Sequence, residues 1–405
     1  MSCSGQGLIG LDQALVAYST VEPRAVQTLP LVEAHQHYLA HDVLSEIALP
    51  LFTQSAVDGY ALKSEDILAG ITVFELVGEI RAGIEEYVQI ESGQCVRIFT
   101  GGKLPDSADT VARQEIVSKL DSRISLNQAL NKGTDIRYQG EELSIGTILA
   151  KQGQYLKSGL VASLSMAGVK EVSVFNHPRI AVLITGDEVS KSLDNSAQVF
   201  DANSPMVLTW LKERGFYSIH LEHVIDDETV LKKALANALD HYDLVITTGG
   251  VSVGDYDLIR PVSLGLGANE IFWQVAQKPG KPIYFAEYKK PNQSSYLLGL
   301  PGNPAAVFVC LEIHVFTLLK AMQGLKEAKP EWEKASLSEA VKGDSREQLL
   351  RMKLNVDEQG QLSVSKLKKQ QSHMLSNLSE ANVIGRIPVF NNAENCPKFI
   401  EFIRL

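Results

Sequence analysis

The segment TTGGVSVGDYD (residues 247–257) leaves an apolar run, DLVIT, and crowds glycines, hydroxyls and carboxylates into one loop. It lacks the Gly-Lys-Ser/Thr of a Walker A loop and the spacing of a GxGxxG fingerprint. Its composition reads as an anion nest. Gly249, Gly250 and Gly254 let the backbone come close to a phosphate, with Ser252 adding a hydroxyl. Asp255 and Asp257 would repel that phosphate unless a cation stood between them. A hard ion such as Mg2+ meets the need, because it takes one or two carboxylates and keeps several waters. The chemistry expected of this loop is binding of a phosphate and its metal.

Other segments end in the same way. RIAVLI runs into TGDE (185–188), HLEHVI into Asp226-Asp227, and YLLG into LPGNP (300–304). Alone, Asp226 reads as a helix cap and Gly302 as a turn residue. Together they place reactive types at the carboxyl ends of several strands, where open α/β sheets bind ligands. QKPGKP (277–282) adds Lys278 and Lys281 on a Pro-Gly turn. Taken alone they are solvated lysines; beside acid- and glycine-rich strand ends they suit a second anion.

The elements that must position these loops follow from pattern. Residues 178–325 alternate strand and helix, which implies a mainly parallel sheet with helices on both faces. NSPMVLTWLKERG is expected as a helix capped by Asn203 or Ser204, with Pro205 in its first turn and Gly215 at its stop. Residues 10–48 read as two helices, LVEAHQHYLAHDVL being the clearer, and SGLVASLSMAGV (158–169) as another. Between them lie short β-like runs split by Gly, Pro and Asp. LLRMKLNVDEQGQLSVSKL reads as a hairpin turning near 357–360. The expected organisation is a discontinuous helical domain (1–48 and 147–177), an inserted β-rich domain (49–146), a central three-layer α/β domain (178–327) and a small C-terminal β domain (328–405).

The chain has 405 residues and a formal net charge of −10, which argues against a general nucleic-acid binder. Cys3, Cys95, Cys310 and Cys396 are far apart and form no CxxC pair, as expected of reduced thiols in a cytoplasmic protein. The N-terminal segment lacks the basic and apolar regions of a signal peptide. AAVFVCLEIHVFTLL carries Glu312 and His314 and reads as a buried helix rather than a membrane span. His35, His37 and His41 are expected on an exposed helix face, without the further ligand a metal site needs.

SAVDGYA (55–61), VRIFTGGKLP (96–105), IRYQGEE (136–142), TGDE, TTGGVSVGDYD, KPGKP and GLPGNP, in that order, resemble the molybdopterin molybdenumtransferase family, the MoeA-like proteins that include the C-terminal domain of gephyrin. The resemblance covers nearly the whole chain. It implies that the central α/β domain binds molybdopterin. It implies an enzyme that takes adenylylated molybdopterin and molybdate, cleaves the pyrophosphate bond with Mg2+, and releases AMP and molybdenum cofactor. It also implies a homodimer whose active site is shared between subunits, with transient contacts to a molybdopterin adenylyltransferase and to cofactor-accepting enzymes.

By the same resemblance Asp58, Thr100, Glu188, Asp226 and Asp257 match functional positions. Asp226, Asp257 and Glu188 would place Mg2+, and Asp58 would come from the other subunit. Lys278, Lys281, Arg351 and Ser372 would form the molybdate pocket, with Pro301 and Pro304 shaping the adjoining loop. Thr53, Gln54, Glu142, Gln274 and Ala306 depart from the family pattern and bear on substrate affinity more than on fold. Two other readings stand beside the transferase. A molybdopterin adenylyltransferase would carry a shorter Gly-Gly-x-Gly-type loop and neither outer β region; a scaffold in the manner of gephyrin would need further domains.

Overall fold

The computed structural model describes residues 8–186, 189–190, 199–252, 254 and 257–405. The chain forms two compact units. One comprises Met1–Gln27, Gln36–Ala40 and Ser173–Leu405; the other comprises Thr28–His35 and His41–Val172. These units are coarser than the four domains expected above, whose boundaries remain a reading of the sequence.

The larger unit is built on a six-stranded sheet. Its strand order is Ile219–Val224, Ile180–Thr185, Leu244–Thr248, Ser295–Leu300, Tyr284–Tyr288 and Asn269–Trp273. The first four strands are parallel, and the fifth, Tyr284–Tyr288, runs antiparallel to both its neighbours. Ile180, Val182 and Ile184 pack into one core with Val207, Trp210 and Leu211 of the helix Asn203–Glu213. Ala181 and Leu183, facing the other way, pack with Leu231, Leu235 and Leu239 of the helix Glu228–His241. A strand apolar on both faces needs helices on both sides, which is why these segments read as unbroken apolar runs. The short helix Leu11–Ala17 adds Leu11, Ala14 and Leu15 to the first of these cores.

The helix Pro304–Met322 is long and apolar enough to cross a membrane, but 89% of its most apolar window is buried inside the protein. It is therefore a core helix, begun by Pro304 in its first turn and containing a π-helical turn at Leu311–Val315.

Beyond it, the strands Glu333–Leu337, Glu347–Val356, Leu362–Lys366, Val383–Ile387 and Phe399–Arg404 close into a barrel. The pairing of Glu347–Val356 with Val383–Ile387 completes the ring. The hairpin turn falls where the sequence placed it, with Gly360 at φ 78°. Gln277 and Lys278 pair in parallel with Glu347 and Gln348, so the lysine turn is hydrogen-bonded to the barrel.

The smaller unit contains the expected helix, Ser158–Met166. Its main sheet has the order Thr110–Arg113, Gly59–Leu62, Gln94–Ile98, Val73–Ile80, Arg123–Leu126 and Val117–Leu120.

The second helix expected within 10–48 does not form. Leu31, Ala34 and Tyr38 are buried at helix-like spacing. Gln36 nevertheless adopts φ 67°, which an α-helix cannot contain. The Leu31 N–H donates to the Lys170 carbonyl and the Ala40 N–H to the Ser173 carbonyl, so backbone pairing with later segments replaces helical bonds. The histidines are accordingly not on a helix face, and His37 stacks on His177 with ring centroids 3.8 Å apart.

Candidate active site

Register brings the reactive loops together at one sheet edge. Ile184 stands opposite Thr248, and Thr248 opposite Leu300, so these strands end level. The central pair, Ile180–Thr185 and Leu244–Thr248, flanks the point where strand order reverses, where such sheets leave a ligand crevice.

The Thr185 hydroxyl donates to the Thr248 carbonyl at 3.1 Å. Gly249 follows at φ 94°, and a Cβ there would lie 2.7 Å from the Thr185 Oγ1. Only glycine fits. The backbone N–H groups are not all open, however. Gly249 donates to the Leu300 carbonyl at 2.9 Å. Gly254 donates to the Asp257 carboxylate at 2.7 Å. The loop thus already holds an anion, its own Asp257, in the manner expected for a phosphate. Ser252 and Gly254 are exposed beside it.

Asn203 ties this loop to the next. Its Nδ2 donates to the Gly302 carbonyl at 2.9 Å and lies 3.4 Å from the Thr248 hydroxyl. Neither Asn203 nor Ser204 is the expected cap of the helix Asn203–Glu213. Ala202 occupies the cap position, while the Asp201 carboxylate accepts from the Ser204 N–H. Similarly, Asp227 caps the helix Glu228–His241 by accepting from Val230 N–H at 2.9 Å. Asp226 is not the capping residue; it sits half-buried just past the strand Ile219–Val224. Glu188 and Asp255 lie outside the described residues.

Lys278 and Lys281 sit on the turn between the strands Asn269–Trp273 and Tyr284–Tyr288. Lys278 Nζ donates to Asp344 at 2.8 Å, and this bond holds the Asp344 carboxyl below its usual range. Lys281 is half-buried. Arg351 is 2% exposed. Its guanidinium donates to the carbonyls of Met374 (2.6 Å), Lys369 (2.8 Å) and Gln371 (3.2 Å), and burial lowers its pKa. It thereby grips the loop that carries Ser372. The Asn303 Nδ2 donates to the Ser372 hydroxyl at 3.2 Å, and Ala305 N–H to the Ser372 carbonyl at 3.2 Å. The barrel loop is thereby fixed to the LPGNP loop, where Pro301 is buried and Pro304 half-buried. Ala306, one of the departures, is buried beside them at 2% exposure.

In the smaller unit, the Asp58 carboxylate accepts from the N–H and the hydroxyl of Thr100, both at 2.8 Å. The backbone bond first, then the hydroxyl, holds the Asp58 carboxyl below its usual range. Asp58 precedes Gly59, where a Cβ would lie 2.3 Å from the Ala112 carbonyl oxygen; the glycine of SAVDGYA is therefore a packing requirement of the sheet.

Family models match in three consecutive blocks. The MoeA N-terminal region (domain I and II) covers residues 9–168, the probable molybdopterin binding domain 181–321, and the MoeA C-terminal region (domain IV) 334–393. The chain belongs to the MoeA family. A molybdopterin molybdenumtransferase of Haemophilus influenzae is 33% identical over 383 residues, covering 93% of each chain. One of Staphylococcus epidermidis is 33% identical over 321 residues, covering 76% of this chain and 74% of its own. The crystal structure of a molybdopterin biosynthesis MoeA protein from Pyrococcus horikosii superposes with a TM-score of 0.80 at 26% identity, covering 98% and 99% of the two chains. The chain is thus an enzyme of molybdenum cofactor biosynthesis, and molybdate insertion is the chemistry of its family.

Proposed function

We propose that the chain binds adenylylated molybdopterin and molybdate, cleaves the pyrophosphate bond with Mg2+, and releases AMP and molybdenum cofactor. The observation that carries this reading is the loop 247–257, closed on the carboxylate of its own Asp257 at a switch-point edge. A site that holds one oxyanion by backbone N–H can hold another. The donors around it suit Mg2+: Asp226 and Asp257 offer oxygen ligands, and Glu188 follows from the family match. Among the described residues no three His, Cys, Asp or Glu side chains converge as a metal cage. When bound, Mg2+ would neutralise charge on the pyrophosphate oxygens. Asp257 would exchange its Gly254 N–H for the ion, freeing that N–H for a phosphate oxygen.

Lys278, Lys281 and Ser372 are proposed to hold molybdate, with Pro301 and Pro304 shaping the wall. Arg351 supports this pocket through the loop it grips and through its buried positive charge. Lys278 would exchange Asp344 for the oxyanion. The supports are the joining of the Ser372 and LPGNP loops and the pairing of Gln277–Lys278 with the barrel. Asp58 and Thr100 are proposed to act on the site of a second copy in a cytoplasmic homodimer. That reading rests on the family match at SAVDGYA, as do contacts with an adenylyltransferase and with cofactor-accepting enzymes.

The test is direct. The protein is incubated with adenylylated molybdopterin and molybdate, with and without Mg2+, while AMP and the reconstitution of a cofactor-free molybdoenzyme are measured. Both products are expected, and only with Mg2+. AMP release that ignores Mg2+ would remove the ion from the site, and absence of both products would remove the reaction. Mixing subunits carrying Asp58→Ala with subunits carrying Asp257→Ala, after proven subunit exchange, should restore part of the activity.

A further inference from the structure

A line of buried polar side chains runs beneath the lysine turn. The Tyr18 hydroxyl lies 3.0 Å from His314 Nδ1, and His314 Nε2 lies 2.8 Å from Gln277 Oε1. Gln277 Nε2 then donates to the Pro279 carbonyl at 3.2 Å. Tyr18, His314 and Gln277 are each 0% exposed.

Chemistry fixes every proton in this line. A carbonyl only accepts, so the amide nitrogen of Gln277 must face Pro279 and its oxygen must face His314. That oxygen also only accepts, so His314 must carry its proton on Nε2. Burial lowers the His314 pKa to about 3, leaving the ring neutral and Nδ1 a lone pair. The Tyr18 hydroxyl must therefore donate to Nδ1, and burial, which raises its pKa well above the ordinary value, keeps that hydroxyl protonated. Direction passes from Tyr18 to the backbone of the turn with no free choice.

The turn rests tightly on this line. Gly280 has φ 89°, and a Cβ there would lie 2.5 Å from Gln277 Nε2 and 2.7 Å from Cys310 Sγ. His314 projects from the π-helical turn Leu311–Val315, within the helix that begins at the LPGNP loop. One helix thus fixes both the loop beside Ser372 and the turn that carries the lysines.

We propose that Tyr18, His314 and Gln277 are positioning residues that set the backbone of residues 277–282 and so the placement of Lys278 and Lys281 for an oxyanion. The proposal rests on the reading of that turn as part of the molybdate pocket. None of the three residues touches the oxyanion. Their loss raises the concentration of molybdate required and leaves turnover at saturation near normal.

The test uses the full chain with His314→Leu, His314→Gln, Tyr18→Phe and, as a direct probe of the pocket, Lys281→Ala. Sodium molybdate binding is followed by calorimetry, and the apparent KM for molybdate by cofactor formation. His314→Leu is expected to weaken molybdate binding roughly tenfold while kcat stays within about twofold, a loss typical of one broken buried hydrogen bond. His314→Gln, whose amide can still donate to Gln277, should recover part of the affinity. Tyr18→Phe removes one hydroxyl and covers the case in which His314→Leu does not fold. Weak binding in Lys281→Ala with unchanged binding in folded His314→Leu or Tyr18→Phe overturns the relay and leaves the pocket standing. Unchanged binding in Lys281→Ala overturns the pocket itself, and the relay with it.

Discussion

The glycine loop and the lysine turn are held in place by opposite means. At Gly249 the constraint is exclusion: positive φ and a neighbouring hydroxyl leave no room for any side chain. At the lysine turn it is connection: Tyr18, His314 and Gln277 pull on the backbone through directed hydrogen bonds. A steric constraint fails abruptly when breached and is insensitive to pH. A hydrogen-bonded constraint fails by degrees, bond by bond, and answers to protonation. The two sides of the site should therefore differ in how they tolerate damage.

The largest effect is expected from Gly249→Ala. Its Cβ would meet Thr185 Oγ1 at 2.7 Å and the Thr185 carbonyl oxygen at 3.1 Å in a left-handed backbone. The strand ends must separate, and AMP release should fall by about a hundredfold or more, since strain of roughly 1–3 kcal/mol is joined by loss of loop placement. A variant with more than half the normal rate would break the contrast. Asp257→Asn comes next. An Asn oxygen can still accept from Gly254 N–H, so the loop should keep its shape while the charge is lost. AMP release at limiting Mg2+ should drop roughly ten- to a hundredfold and recover partly as Mg2+ is raised; a flat Mg2+ titration would take Asp257 out of metal binding.

Arg351→Ala should weaken molybdate binding by about one to two decades, roughly 1.5–3 kcal/mol, while binding of adenylylated pterin is largely kept. Calorimetry at matched ionic strength reads both affinities. Because the guanidinium holds three carbonyls of the 369–374 loop, this variant should also lose thermal stability, which Lys281→Ala should not. The effect on pH dependence bears on stability alone. His314 has a pKa of about 3 in the folded protein against about 6.5 in an unfolded chain. Between those values the unfolded chain binds a proton that the native one does not, so stability falls as pH falls through this window. Urea titrations should show the wild type losing up to about 1.4 kcal/mol per pH unit more than His314→Leu there. His177, lowered to about 4 by burial and by His37, contributes equally to both. Equal slopes would mean that His314 is not held neutral.

The central sheet was legible because its strands are buried on both faces and read as short apolar runs closed by glycine or acid. The site loops were legible for the same reason, since register follows from those runs. The segment after Leu31 was misread because its buried residues keep helical spacing while its backbone bonds go to distant chain. Asn203 was read as a cap because Asn before a helix so often is one; its true partners, Gly302 and Thr248, are 99 and 45 residues away. The relay was invisible for the same physical reason. Tyr18 and His314 are separated by 296 residues, and His314 and Gln277 by 37. No local pattern announces a hydrogen bond across such distances. The Gly249 N–H, expected to face a phosphate, instead donates to the Leu300 carbonyl.

The parallel pairing of Gln277 and Lys278 with Glu347 and Gln348 has a bearing on how the polypeptide can be shortened. Removing residues 328–405 would strip the backbone partner from this two-residue strand and take away Leu349, Ile384 and Ile403, uncovering the apolar groups of the larger unit that share a core with them. A bare strand edge beside fresh apolar surface recruits other chains. A fragment ending at residue 327 should therefore accumulate as aggregate in spite of retaining the whole six-stranded sheet.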